Sequence, residues 1–129
     1  LLWSALPGAS RHHWGTDIDV FDAEQIEVKS LRLVDAEYRD GGPCAHLHQW
    51  LVANAKDFGF YFPFQKGQSA VSAEPWHISY FPVSQTLLPQ FEVQALAQVI
   101  QQSDMLLKDA VIRRLPELVA EYVHRIAQP

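Results

Sequence analysis

The pattern of apolar and polar positions predicts strands in the first two-thirds of the chain. Residues 16–22 alternate polar and apolar side chains, which is the period of a half-buried strand. The aromatic run 58–62 and the segment 75–81, each followed by a proline, predict two further strands. In the alternating segment we expect Ile18 and Val20 to anchor the strand in the core.

Helical patterns occupy the last third of the chain and one earlier segment. The predicted helices are the earlier segment 45–55 and, in the last third, 91–102, 105–114 and 116–126. The first should bury one apolar face, made of Leu47, Trp50, Leu51 and Ala55. Pro116 can open the last helix, since proline is tolerated in a first turn. Strands followed by helices predict an α+β domain with a helical C-terminal segment.

Composition and charge narrow the class of protein. A chain of 129 residues predicts a single domain, with a core over residues 1–85 and a helical extension over 86–129. The single cysteine, Cys44, excludes an internal disulfide and a zinc site of several thiolates. The net charge of -5 argues against a nucleic-acid groove or an anionic membrane surface as partner. No apolar run approaches the roughly 18 residues that a membrane-spanning helix needs.

The first segment that could carry chemistry is residues 10–19, Ser-Arg-His-His-Trp-Gly-Thr-Asp-Ile-Asp. Asp17 and Asp19 share one face of the predicted strand, and two neighbouring carboxylates repel unless a cation or a hydrogen-bond donor lies between them. Gly15 permits a sharp turn that would fold His12 back over the same face. An imidazole and a carboxylate that converge in this way can form two corners of a metal site.

The second segment is Glu-Pro-Trp-His at residues 74–77. His77 begins a strand face and offers a third ligand, whereas Glu74, three residues earlier, could stand beside a metal without binding it. Two nitrogens, one oxygen and an open position are the composition of a catalytic zinc centre. The residues alone leave an alternative open, in which both histidines are ordinary hydrogen-bonded imidazoles and the carboxylates face solvent.

Together the two segments resemble the LAS family of zinc peptidases, which contains the VanY-type D-alanyl-D-alanine carboxypeptidases. The family pattern is Ser-x-His-x-x-Gly-x-x-x-Asp followed later by Glu-x-x-His. It is matched here by Ser10, His12, Gly15, Asp19, Glu74 and His77. The Glu-Pro-Trp-His form is especially close to the VanY branch. The resemblance implies a small antiparallel sheet flanked by helices.

The resemblance also implies roles for these residues. His12, Asp19 and His77 would bind one zinc ion, Glu74 would be the general base, and Ser10 would help to hold the substrate. The implied substrate is a peptidoglycan stem peptide cut next to a D-amino acid. The implied location is the periplasm or the cell envelope.

Two departures from the family pattern affect these expectations. Relatives carry an arginine upstream of the first motif, and none precedes Ser10, so we expect it in a missing amino-terminal segment that would complete the site. Arg11 could take the place of this arginine, but because it flanks a ligand we expect it to point outward. Asp17 stands where many relatives have a small residue. It would either accept a hydrogen bond from a ligand histidine or contact a substrate ammonium.

Two alternatives to a carboxypeptidase remain at the level of sequence. A peptidoglycan endopeptidase would need a cleft open at both ends, whereas a carboxypeptidase needs a closed end and a cation for the terminal carboxylate. A non-catalytic module that binds wall peptides or a protein could use the same fold. The presence of Glu74 argues against a pure binding module, which needs no base.

Overall fold

Short strands and helices alternate with long irregular segments in the computed structural model, which describes residues 4–129. Its strands are β1 Asp17–Asp19, β2 Phe60–Tyr61 and β3 His77–Tyr80. Its α-helices are α1 Ala45–Asn54, α2 Phe81–Leu87, α3 Val93–Gln102, α4 Lys108–Arg113 and α5 Leu115–Val119. Turns of 3-10 helix lie at Arg11–Trp14, Asp35–Glu37, Ala55–Phe58 and Leu88–Gln90, and a π-helical turn at Ala120–His124.

The strands form one antiparallel sheet in the order β1-β3-β2. Asp19 lies opposite His77 and Asp17 lies opposite Ser79. Because residues paired across an antiparallel ladder point to the same side, this register gathers both sequence motifs on one polar face. The prediction of an α+β fold, with a small antiparallel sheet flanked by helices, is confirmed.

The C-terminal helices pack against the loop that precedes the first motif. Their buried side chains form a cluster with Ala9 that consists of Leu96, Ile100, Leu115, Val119 and Val123. The N–H of Ala127 donates to the carbonyl of Pro63 at 2.9 Å. Burial of apolar side chains on both partners therefore fixes residues 86–129 against segments that carry the site. Within residues 4–129 we find no helix whose length and apolarity would suit a bilayer.

Several predicted orientations are wrong. Ile18 is 47% exposed, because β1 is a short edge strand whose buried side is the polar one. Trp50 is 52% exposed, and it packs beside Phe58 at the surface while Leu51 takes the buried position on α1.

The element boundaries also differ from the predicted ones. Residues 81–87 form helix α2 with Pro82 in its first turn, where a missing N–H costs nothing, whereas the sequence pattern ended a strand at this proline. Helix α4 begins at Lys108 and not at residue 105. The segment 116–126 divides into the short helix α5 and a π-helical turn.

Candidate metal centre and its cleft

A single turn of 3-10 helix, Arg11–Trp14, brings the first motif back over the sheet. The turn ends at Gly15, whose φ of +71° lies in the left-handed region that glycine adopts without strain. No atom within 4 Å would meet an added Cβ, so the backbone angle and not space requires glycine. The turn places Nδ1 of His12 at 3.1 Å from the carbonyl oxygen of Asp17, to which it donates.

The second motif is a turn that leads directly into β3. The N–H of His77 donates to the carbonyl of Glu74 at 3.2 Å, and the N–H of Glu74 donates to the carbonyl of Phe64 at 3.2 Å. The ring of Phe64 packs edge-on against the imidazole of His77 with centroids 4.7 Å apart. These contacts hold the backbone of Glu74 and the ring of His77 at the start of a paired strand.

The two motifs converge at one point. Oδ1 of Asp19 lies 3.3 Å from Nδ1 of His77 and 3.5 Å from Nε2 of His12. One potential ligand atom from each of the three residues lies within 4.8 Å of the others. His77 is buried, whereas the side chains of His12 and Asp19 are 41% and 30% exposed, so the point of convergence opens toward solvent on one side.

These three residues fit a tetrahedral divalent cation. Bonds of about 2.0–2.2 Å in a tetrahedron separate neighbouring ligand atoms by roughly 3.4 Å, close to both measured separations. Both imidazoles direct their other ring nitrogen to an oxygen of Asp17, that of His12 to the carbonyl and that of His77 to the carboxylate. Such outer partners fix the ring orientation of metal-binding histidines. The arrangement leaves Nε2 of His12 and Nδ1 of His77 for a metal.

Asp17 is the centre of a buried polar network beneath His77. Its Oδ2 accepts from Nε2 of His77 at 2.8 Å and from Nε of Arg11 at 2.7 Å. Its Oδ1 accepts from the hydroxyls of Thr16 at 2.8 Å and Ser79 at 2.7 Å. A carboxylate is an acceptor only, so Nε2 of His77 carries the proton in this hydrogen bond.

Arg11 does not point outward, as the sequence suggested, but is 4% exposed. The strand register explains this correction, since Asp17 and Ser79 face inward together and both bind the guanidinium. The guanidinium carbon lies 4.6 Å from the ring centroid of Trp14, a cation–π distance. Nη1 of Arg11 is buried without a hydrogen-bond partner among the described residues.

The network shifts the pKa of two groups in opposite directions. Burial by itself would raise the pKa of Asp17, but the hydrogen bond from His77 and the charge of Arg11 outweigh it and hold that pKa well below its usual range. Burial by itself would lower the pKa of His77, but hydrogen bonds to Asp17, Asp19 and Glu74 raise it to about 10. Without a metal, His77 is therefore a cation surrounded by carboxylates at neutral pH.

The placement of Asp17 bears on both of its expected roles. Its side chain is 0% exposed, so in this structure it presents no surface to a substrate ammonium. The contact with His77 corresponds to the other alternative, a carboxylate behind a ligand histidine.

Glu74 stands beside the three convergent residues. Its Oε2 lies 3.3 Å from Nδ1 of His77, and its side chain is 14% exposed. A carboxylate at this position is close enough to a cation held by His12, Asp19 and His77 to exchange a proton with a water molecule there.

The site opens into a cleft with a volume of about 650 Å³. Ser10, His12, Asp19, Glu74 and His77 all line it. Two residues that sequence reasoning assigned no role, Arg32 and Tyr122, line it too. Tyr122 comes from the C-terminal π-helical turn, and neither residue belongs to a recognisable motif. Only the tertiary packing brings them to the cleft.

The comparisons with known proteins agree with this geometry. The model of the VanY family, described as D-alanyl-D-alanine carboxypeptidase, matches residues 1–83, which include every residue of both motifs. The chain belongs to the VanY family. A protein of Haemophilus influenzae, described as uncharacterized, is 38% identical to this chain over 121 residues. The aligned region is 92% of this chain and 92% of that protein. No match was found among solved structures.

Proposed function

We propose that this VanY-family protein is a zinc-dependent D-alanyl-D-alanine carboxypeptidase. The observation that supports the proposal most strongly is the convergence of three side chains on one point beside a carboxylate. Oδ1 of Asp19 and Oε2 of Glu74 both lie 3.3 Å from the same nitrogen of His77. Three ligands with a base and an open cleft are the parts that a hydrolytic zinc centre requires.

The metal ligands in this proposal are His12, Asp19 and His77. Their donor set of two imidazoles and one carboxylate suits zinc, and the single cysteine lies elsewhere, buried in a cluster with Tyr38 and Trp76. When bound, zinc supplies Lewis-acid polarisation of a peptide carbonyl and makes a nucleophilic water available near neutral pH.

Glu74 has the role of general base. Its carboxylate would accept a proton from the attacking water and then pass it to the leaving amine. The hydrogen bonds of its backbone N–H to Phe64 and of its carbonyl to His77 hold it at the start of β3. A module that only binds peptides has no need of a carboxylate at this position, so Glu74 favours hydrolysis over that alternative.

The substrate in this proposal is a peptidoglycan stem peptide that ends in D-alanine. Ser10 lines the cleft directly before the turn that carries His12, where its hydroxyl can bind the peptide. Asp17 does not touch the substrate and instead orients His77. Since such stem peptides occur in the bacterial wall, we place the activity in the periplasm or cell envelope.

The variant Glu74→Gln tests the proposal. It replaces the carboxylate by an amide of similar shape, so we expect one zinc per chain to remain while D-alanine release from a pentapeptide ending in D-Ala-D-Ala falls at least about 100-fold. Glu24→Gln, on the exposed surface away from the cleft, is the matched control and should retain the activity. Unchanged release by Glu74→Gln would remove Glu74 from the mechanism. No release by the unaltered protein would refute the proposed reaction.

A further inference from the structure

The cleft contains a guanidinium that the zinc site does not use. Arg11 is bound to Asp17 beneath the site, whereas Arg32 is an exposed residue of the cleft wall. Over residues 4–129, no carboxylate forms an ion pair with Arg32. The nearby Asp35 pairs with Arg39 at 2.8 Å instead. Arg32 is therefore available to an anion that enters the cleft.

The backbone beneath Arg32 is held in a defined conformation. The carboxylate of Glu37 accepts hydrogen bonds from the N–H of Arg32 at 3.0 Å and from the N–H of Val34 at 3.1 Å. Between them, Leu33 has a φ of +52°, a left-handed conformation that costs a non-glycine residue free energy. The surrounding structure maintains this strain, because Leu33 packs against the buried cluster of Tyr38, Cys44 and Trp76. Strain of this kind is concentrated at functional sites.

The chemistry of the cleft wall suits a small residue with a free carboxylate. A guanidinium binds a carboxylate through two parallel N–H donors, with a geometry that a lysine cannot reproduce. Leu33 and Val34, next to Arg32, add apolar surface to the same wall. The chain as a whole is acidic, with a net charge of -5, so an anionic peptide end requires a local cation of this kind.

We propose that Arg32 binds the α-carboxylate of the substrate's terminal residue and thereby makes the protein a carboxypeptidase and not an endopeptidase. The inference rests on the proposed function, since it concerns the peptide that the zinc site cuts. In this arrangement Arg32 holds the C-terminal end of the substrate peptide. The peptide bond before its terminal residue then lies toward His12, Asp19 and His77. A peptide without a free carboxylate loses this contact.

The test compares two peptides and three proteins. The peptides are a pentapeptide ending in D-Ala-D-Ala and the same peptide with a C-terminal amide. The proteins are the unaltered zinc-loaded protein, Arg32→Gln, and the charge-matched control Arg113→Gln, whose arginine is exposed on α4 and does not line the cleft. We expect kcat/KM of the unaltered protein to be about tenfold higher for the free acid. Arg32→Gln should bring this ratio close to one, and Arg113→Gln should keep it.

A binding measurement separates recognition from turnover. In the Glu74→Gln background, calorimetric titration with the free-acid pentapeptide should give a Kd about tenfold higher when Arg32→Gln is added. The zinc content should remain one per chain in both proteins. A structural fault at the metal centre would instead lower the zinc content.

The possible results are distinguishable. Cleavage of both peptides at equal rates by the unaltered protein, or a full preference for the free acid in Arg32→Gln, would overturn the role of Arg32 while the hydrolase remains. Absence of cleavage of both peptides by the unaltered protein would refute the proposed function itself, and with it the role of Arg32.

Discussion

Nε2 of His77 lies 2.8 Å from Oδ2 of Asp17, and neither side chain is more than 3% exposed. The strand register produces this contact, because Asp17 and Asp19 lie on the same side of β1 as His77 and Ser79 on β3. Two carboxylates thus meet one imidazole from different sides. Asp17 lies behind the ring, at Nε2, and Asp19 lies in front of it, at Nδ1. In the proposed metal centre, this contact gives Asp17 the role of positioning the His77 ring.

The substitution Asp17→Asn should weaken zinc binding. It removes the charge that fixes the ring of His77 and leaves Arg11 buried without its partner. Loss of such outer partners typically lowers metal affinity by about 10- to 100-fold. Competition with a zinc chelator measures the Kd, and Asp57→Asn, an exposed position outside the cleft, is the control. A zinc affinity equal to that of the control would show that Asp17 has no such role.

The metal-free protein should lose stability as the pH rises above neutral. The folded-state pKa of His77 is raised to about 10 from an ordinary value of 6.5, so its contribution is complete below pH 6.5 and is lost as the pH rises through about 10. The pKa of Asp17 is lowered, so its contribution is present above its ordinary value of 3.8 and is lost as the pH falls further.

Urea denaturation in the presence of a chelator measures this dependence. We expect the free energy of unfolding to be lower at pH 9 than at pH 6, by roughly 3 kcal/mol. His77→Gln, which does not titrate, should reduce the difference. An unfolding free energy that is the same at the two pH values in the unaltered protein would contradict the assigned direction of the His77 shift.

The substitution Leu107→Gly should stabilise the protein. Leu107 has a φ of +60°, so its backbone is strained. Because its side chain is 80% exposed, it contributes little packing that would offset this strain. The left-handed conformation costs about 1–2 kcal/mol in a non-glycine residue, and the greater chain entropy of glycine offsets about 0.5–1 kcal/mol of the gain. We expect a net increase of about 0.5–1 kcal/mol in the free energy of unfolding.

Leu106→Gly is the matched control for this prediction. Leu106 is 86% exposed but has no positive φ, so glycine should only destabilise there. Urea denaturation of the two variants under the same conditions gives the comparison. Equal destabilisation by both substitutions would show that the conformation at Leu107 carries no strain.

The residues of the candidate metal centre could be grouped from the sequence because their spacing follows strand and turn geometry. The alternation in 16–22 places Asp17 and Asp19 on one face, and Gly15 predicts the turn that returns His12 to that face. The structure has both features. The resemblance to zinc peptidases then linked these residues to His77, which no local pattern could pair with Asp19.

The rest of the site depends on tertiary contacts that local patterns do not contain. Alternation predicted that Ile18 would be buried, since it assumes an apolar core face. A polar side chain can occupy the buried face here because the guanidinium of Arg11 pairs with the buried carboxylate of Asp17. Arg32 reaches the cleft from an irregular loop and Tyr122 from a π-helical turn. Neither segment has a periodic apolar pattern that would predict which way its side chains point.

The zinc content of purified protein tests the central claim most directly. After loading with zinc and removal of excess metal, elemental analysis should give one zinc per chain for the unaltered protein. The control His46→Ala, at an exposed position on α1, should give the same value. His77→Ala should hold less than about a tenth of this amount, because it removes a ligand that contacts both Asp17 and Asp19. Equal zinc in His77→Ala and the unaltered protein, or none in either, would contradict the account.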